Sequence, residues 1–136
     1  MNNPKMLVDR TALKMSRNRA IDSGGYFLHE LAISEVKDRL SNINRDFQSI
    51  AIVTGLSTIW RKAFPSATVI EDSENLNLKR GKYDLVIHGM ALHWANDAVG
   101  QLIQLRLALK SDGLMIAVCL GGTTLNELRD VLIEAE

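Results

Sequence analysis

Apolar positions along the chain follow two kinds of spacing, and the change from one to the other divides the sequence. In the first third they recur at helical intervals. Met6, Leu7, Leu13 and Met15 lie in a strongly charged segment running to about Ala20, opened by Asn3-Pro4 as a cap and first-turn proline. Asp22-Ser23-Gly24-Gly25 breaks that segment. Leu28, Ala32, Val36 and Leu40, with Leu31 and Ile43 beside them, then define an amphipathic helix from about Tyr26 to Leu40. From Phe47 onward the pattern becomes short unbroken apolar runs alternating with helical segments. Ile50 to Val53 is a strand ended by Gly55, and Leu56 to Ala63 is a short helix stopped before Pro65. Ala67 to Ile70 is a second strand leading into the acidic turn Glu71-Asp72-Ser73-Glu74. Tyr83 to Ile87 is a third strand, and Ala98, Leu102, Leu105 and Leu109 mark a long helix closed by Ser111-Asp112-Gly113. Leu114 to Leu120 is the fourth strand, ended by Gly121-Gly122, after which Thr124 and Glu127 form the capping box of a last helix carrying Leu125, Leu128 and Leu132.

Strands that lack alternation and are separated by helices imply a mostly parallel sheet with helices on both faces. The expected class is α/β and Rossmann-like: a helical lead-in over 1–44, then a sheet-and-helix core over 45–136, in one compact unit. Ligands of such sheets sit outside the carboxyl ends of the strands, near the point where strand order reverses. The candidate loops are therefore Thr54 to Thr58, Glu71 to Asn75, His88 to Trp94 and Cys119 to Thr123.

Composition narrows the choice of function. With 136 residues, 16 basic and 16 acidic side chains, the chain has room for one core and little for a second domain. The apolar stretches Ile50 to Val53 and Gly113 to Gly122 are far below the roughly 20 residues of a membrane span. The polar first 20 residues do not resemble a secretory signal, so a cytoplasmic location is expected. A lone Cys119 excludes an internal disulfide and a cysteine zinc cluster, and its apolar surroundings predict a buried small side chain. The balanced charge is unevenly placed: residues 1–20 carry +4 and residues 121–136 carry −3. Lys5, Arg10, Lys14, Arg17 and Arg19 lack interleaved aromatics, which favours a solvated or protein-contacting helix face over nucleic-acid binding.

Several chemistries fall away by pattern. Ser57 has no G-x-S-x-G context, no G-x-G-x-x-G fingerprint is present, and His29 and His88 lack ligand partners at metal spacing. No metal is expected. Asn96-Asp97 reads as a helix cap, and Asp84 as a structural carboxylate at a strand start. His93 is a candidate general base, its ordinary pKa lying near neutrality, or else a helix-entry histidine beside a Trp94 packed against the lead-in.

Four stretches together carry a family resemblance. They are Val8-Asp9-Arg10-Thr11-Ala12-Leu13 to Arg17-Asn18-Arg19-Ala20; Phe27-Leu28 to Val36-Lys37-Asp38-Arg39-Leu40, with Ile43, Arg45 and Phe47; Tyr83-Asp84-Leu85-Val86-Ile87 with Ala91-Leu92-His93-Trp94-Ala95-Asn96-Asp97 and Leu109-Lys110-Ser111-Asp112-Gly113; and Gly121-Gly122-Thr123-Thr124-Leu125-Asn126-Glu127-Leu128-Arg129. In order and spacing they resemble class I S-adenosylmethionine-dependent methyltransferases, in the branch of the complex I assembly methyltransferase-like proteins and, more distantly, the biotin-synthesis O-methyltransferases. The resemblance implies an abbreviated methyltransferase fold and S-adenosylmethionine as cofactor. It implies methyl transfer to an acceptor that is a small molecule or a protein. Carried over by position, the cofactor-binding residues are Thr54, Gly55, Leu56, Glu71, Asp72, His88, Gly89 and Leu92, with His93 as the catalytic candidate.

This chain departs from the family pattern in three places. The family's glycine loop is reduced to Gly55, with Leu56, Ser57 and Thr58 following it; glycines there let backbone approach the cofactor. Glu71-Asp72 follows Gly55 so soon that, set against the family, a helix and a strand are skipped. The carboxylates then stand either for the acidic motif against adenine or, if Ala67 to Ile70 plays the second strand, for the ribose-holding acid. The family also continues past the position of Glu136 with segments that shape the acceptor pocket. An alternative function follows: a methyltransferase-fold protein that has lost catalysis and acts as an interaction or assembly factor, as a homodimer or with a protein partner.

Overall fold

The computed structural model describes residues 6–120. Helix α1 (Arg10–Ser23) is capped by Asp9, whose side chain accepts from the Ala12 amide at 3.1 Å, and it ends at Gly24. The helix therefore starts later than the Asn3-Pro4 reading, which lies outside the described residues, and residues 6–9 are not helical. The short side chain of Asp9 stops the helix by satisfying its first free amides. Helix α2 (Phe27–Ser41) follows, then β1 (Ile50–Thr54), α3 (Ser57–Ala63), β2 (Thr68–Ile70), β3 (Tyr83–Gly89), a short 3₁₀ turn at Leu92–Trp94, α4 (Ala98–Ala108) and β4 (Leu109–Val118).

The four strands form one wholly parallel sheet in the order β2-β1-β3-β4. This is the α/β, Rossmann-like architecture expected from the sequence, with helices on both faces. On one face Ile52, Leu85 and Ile87 pack against Ala32, Ile33 and Val36 of α2 and Trp60 of α3. On the other, Ala51, Val53 and Val86 meet Leu105 and Ala108 of α4. Burial on both faces is why the strands read as continuous apolar runs. Each fully buried aliphatic side chain contributes about 1.5–3 kcal/mol of transfer free energy.

Two local features differ from the sequence reading. Leu109 does not close α4 but opens β4, and Ser111-Asp112-Gly113 is not a helix stop. Tyr83 faces Leu109 whereas Leu85 faces Leu114, so β4 carries extra residues as a bulge, turned at Asp112 with φ of 67°. The apolar residues on either side of the bulge pair with β3, which outweighs the local turn signal. Cys119 is exposed rather than buried: it lies just past the last residue of β4, where no helix among the described residues covers it. The capping box at Thr124 and Glu127 and the last helix lie outside the described residues.

Asp84 has the structural role read for it. Its carboxylate accepts the amides of Gln48 and Ser49 at 2.8 and 3.0 Å, tying the approach of β1 to the start of β3. Asp97 caps α4 through the Gly100 amide at 2.9 Å, while Asn96 accepts from the Leu7 amide at 2.7 Å.

Candidate functional site

Strand order reverses between β1 and β3, since β2 lies on one side of β1 and the chain then crosses to the other. Crevices at such points are where parallel α/β sheets hold ligands. Here the crevice is bounded by Gly55 after β1, Asp72 after β2 and Gly89-Met90 after β3. β2 is the direct neighbour of β1, so Asp72 follows the second strand of the sheet.

Asp72 is 1% exposed and is held by two arginines from α1. Arg17 pairs with both carboxylate oxygens, at 2.8 and 2.7 Å, in the bidentate geometry of a planar guanidinium, and Arg10 adds a contact at 3.3 Å. Burial pushes the Asp72 carboxyl up, but the hydrogen bonds and charges of Arg17 and Arg10 together outweigh it and hold the group below its ordinary 3.8. The basic face of α1 is thus divided. Arg10 and Arg17 turn inward while Lys14 and Arg19 stay exposed.

Arg17 also packs onto the backbone of Gly55. A Cβ built there would lie 2.1 Å from the Arg17 guanidinium carbon, so the guanidinium rests on bare backbone. Gly89 is equally confined, with Trp60 ring atoms from 2.6 Å away, but this neighbour is a rigid indole with no solvent exposure. Trp60 Nε1 donates to His29 Nδ1 at 3.0 Å, and its ring stacks on Phe64 at 6.2 Å between centroids.

Two cavities flank Arg17. One, of about 310 Å³, is polar and lined by Arg10, Lys14, Arg17, Gly55, Glu71 and Asp72 among others. The second, of about 240 Å³, lies between α1, the start of α2 and the ends of β1 and β3; its walls include Leu13, Tyr26, Leu56, Met90, His93 and Trp94. Met90 enters it with φ of 54°, a backbone conformation uncommon for a side chain of this size.

Of the residues singled out from sequence, Gly55, Glu71 and Asp72 line the polar cavity, and Leu56 and His93 the apolar one. Thr54 is buried at the end of β1, and its hydroxyl oxygen accepts from the Leu56 amide at 3.4 Å. Leu92 is half-buried in the 3₁₀ turn. Gly89 lies under Trp60, and His88 lines neither cavity. His88 belongs to β3 rather than to the loop after it and faces α4, where its Nε2 meets Gln101 Oε1 at 2.7 Å. Gln101 and Gln104 in turn donate to the Ser73 and Glu74 carbonyls, and Gln104 accepts from the Leu76 amide at 2.8 Å. This pair bolts the acidic loop to α4. Among the described residues no group of three His, Cys, Asp or Glu side chains is gathered as for a metal ion.

The sequence reading named Arg10 and Arg17 only as a basic helix face and His29 only as lacking metal partners, and it gave no site role to Trp60 or the two glutamines. The signal for the glutamines was a pair of amides, three residues apart, in a helix whose one charged residue is Arg106.

The histidines carry a pH dependence. Burial, then the Arg17 charge, then His93 lower His29 from 6.5 to about 4. Burial lowers His88 as well, against the raising effects of Gln101 and Asp72. Below 6.5 the unfolded histidines take protons that the folded rings refuse, so stability is expected to fall as pH is lowered. Thermal midpoints recorded from about pH 7 to about pH 5 check this, with His29→Gln expected to flatten the dependence. A midpoint that rises on acidification would contradict neutral buried rings.

No family model matches the chain. A Rickettsia prowazekii protein whose name assigns it provisionally to the methyltransferases is 38% identical over 86 residues, 62% of this chain and 38% of that protein. The human protein named arginine-hydroxylase NDUFAF5, mitochondrial, is 37% identical over 94 residues, 69% of this chain and 27% of its own length. The malonyl-[acyl-carrier protein] O-methyltransferase of Gallionella capsiferriformans is 28% identical over 131 residues, 92% of this chain and 45% of the enzyme. The chain thus spans less than half the length of these curated relatives. Among solved structures, a SAM-dependent methyltransferase from Thermotoga maritima, described as a possible histamine N-methyltransferase, superposes with a TM-score of 0.52 at 17% identity. That match covers 73% of this chain and 57% of the other. The described residues share the fold of that methyltransferase, and the sequence similarities reach both branches named from the sequence.

Proposed function

We propose that this chain is a methyltransferase-like domain that binds S-adenosylmethionine in the crevice between Gly55, Asp72 and the end of β3, for methyl transfer to an acceptor. The observation that carries the reading is the buried carboxylate of Asp72 beside the Gly55 backbone, which only the Arg17 guanidinium covers among the described side chains, at the reversal point of a parallel sheet. The residues present fit the cofactor on one condition. The atoms over Gly55 are the far end of a flexible arginine, which can swing aside, and both Asp72 oxygens then become acceptors for a diol. Leu56 does not obstruct, because its side chain is turned inward and is 3% exposed.

When bound, the cofactor supplies an electrophilic sulfonium methyl, and the protein's part is mainly positioning. Asp72 holds hydroxyls, Gly55 admits close backbone approach, and Glu71, at the rim of the polar cavity, is a further acceptor. Leu92 and His93 border the reacting side. His93 Nδ1 accepts from the Leu120 amide at 3.4 Å, which leaves the proton on Nε2 and gives this ring the part of a donor.

Titration with S-adenosylhomocysteine tests the reading. At about a hundredfold excess over Kd, binding adds about 2.7 kcal/mol to stability and raises the thermal midpoint by several degrees. Gly55→Val should abolish that shift by pinning a side chain against Arg17. A midpoint unmoved at millimolar ligand would sink the proposal.

The same guanidinium favours a second reading. With Arg17 filling the Gly55 cradle and occupying Asp72, the fold can persist as a catalytically idle interaction or assembly factor, as a homodimer or with a protein partner. Exposed apolar side chains on α2 and α4, including Phe27, Leu31, Val99 and Ile103, support it. Light scattering that gives a strict monomer would count against the homodimer. We place either activity in the reducing cytoplasm, which suits the exposed thiol of Cys119. Among the described residues no helix is long and apolar enough to cross a membrane.

A further inference from the structure

The polar side chains lining the apolar cavity are Arg17, His29, His93, the Trp94 indole and the hydroxyls of Ser16 and Tyr26. The first three can only donate. A guanidinium has no acceptor atom. His29 Nδ1 is occupied by the Trp60 indole N–H at 3.0 Å and His93 Nδ1 by the Leu120 amide at 3.4 Å, so in both neutral rings the proton sits on Nε2. Burial, then the Arg17 charge, lower both rings below the ordinary 6.5. Among the described residues no carboxylate lines this cavity. Asp72 and Glu71 line the polar cavity on the other side of Arg17. Leu13, Leu28, Leu56, Met90 and Phe27, with the rings of Tyr26 and Trp94, supply its apolar surface.

We infer that this cavity binds a compound with an apolar body and one carboxylate, its oxygens received by the histidine N–H groups beside the Arg17 charge. An ammonium on the same body would face these N–H groups and find no carboxylate among the described lining residues to pair with. The inference rests on the proposed methyltransferase reading only in making the ligand the acceptor; the binding itself does not depend on the cofactor.

Three probes of one shape test it: 3-phenylpropionate, 3-phenylpropanol and 3-phenylpropylamine, titrated calorimetrically into the full chain near neutral pH. The acid is expected to bind about tenfold tighter than the amine, with the alcohol between them. His93→Phe keeps a ring of similar size and removes one N–H. It should weaken the acid about fivefold and leave the alcohol unchanged. An amine that binds as tightly as the acid, or no acid binding up to about 10 mM, overturns the inference. Equal losses for acid and alcohol in the variant would overturn the donor role of His93. The titrations are run without S-adenosylhomocysteine and repeated with it. Failure of the cofactor reading then appears as missing nucleoside binding while the acid result stands, and failure of this inference appears in the probe series alone.

Discussion

Trp60→Ala should lower stability by about 4 kcal/mol and the thermal midpoint by roughly 14 °C, the largest effect expected of any single truncation here. The indole has no solvent exposure and is the largest fully buried side chain. Its loss leaves a void between α2, α3 and β3, removes the stack on Phe64 and deprives His29 of its hydrogen-bond donor. Trp60→Phe separates these contributions: it keeps most of the volume and loses the indole N–H, at about 1.5 kcal/mol. The same contact can be stressed from the opposite side. Gly89→Ala drives a methyl into the ring, and since the indole cannot retreat the cost is about 1–3 kcal/mol. Chemical denaturation of the three variants checks the order; an Ala variant no less stable than the Phe variant would contradict the packing described.

The second large effect belongs to Arg17. Arg17→Ala strips the bidentate partner from a carboxylate with 1% exposure and leaves only Arg10, at 3.3 Å, to face it. The expected cost is about 3 kcal/mol at neutral pH, roughly 10 °C in midpoint. In the intact chain the Asp72 carboxyl lies below its ordinary 3.8, so its contribution to stability is present above that pH and is lost as pH falls through the lower folded value. In the variant, burial opposed by Arg10 alone lifts the carboxyl, and the folded state takes up a proton more readily than the unfolded chain does. The penalty is therefore greatest near neutrality and shrinks as pH falls towards about 4. Midpoints of the two proteins recorded across that range should converge. A constant gap would mean that Arg17 acts through packing rather than through the carboxylate.

What the sequence revealed, and what it hid, follows from the range of the interactions concerned. Ile50 to Val53 and Tyr83 to Ile87 were legible as parallel strands because both of their faces are buried, and burial on both faces leaves an unbroken apolar run. Asp84 and Asp97 were legible because they satisfy amides close to a strand start or a helix start. Gly55 and Asp72 could be named from the family pattern. Their common contact could not, since Arg17 stands 55 positions before Asp72 and its spacing along α1 also suits a solvated face. The placement of His88 depends on a partner in another element, Gln101. Whether Leu109 ends a helix or starts a strand is settled by its pairing with Tyr83, against a local turn signal that pointed the other way.

Helix α1 is fastened to the rest of the molecule very lightly. Of its 14 residues only Leu13 is buried, and its other deep anchors are the arginines that converge on one carboxylate. Detaching it requires far less free energy than global unfolding, so its amides should exchange with solvent by a partial opening that leaves β1 and β3 protected. Because Arg17 forms part of the wall of both cavities, that one excursion uncovers Gly55 and the apolar chamber together. Two ligands would then share a single door, and whichever entered first would set the terms on which the helix returned for the second.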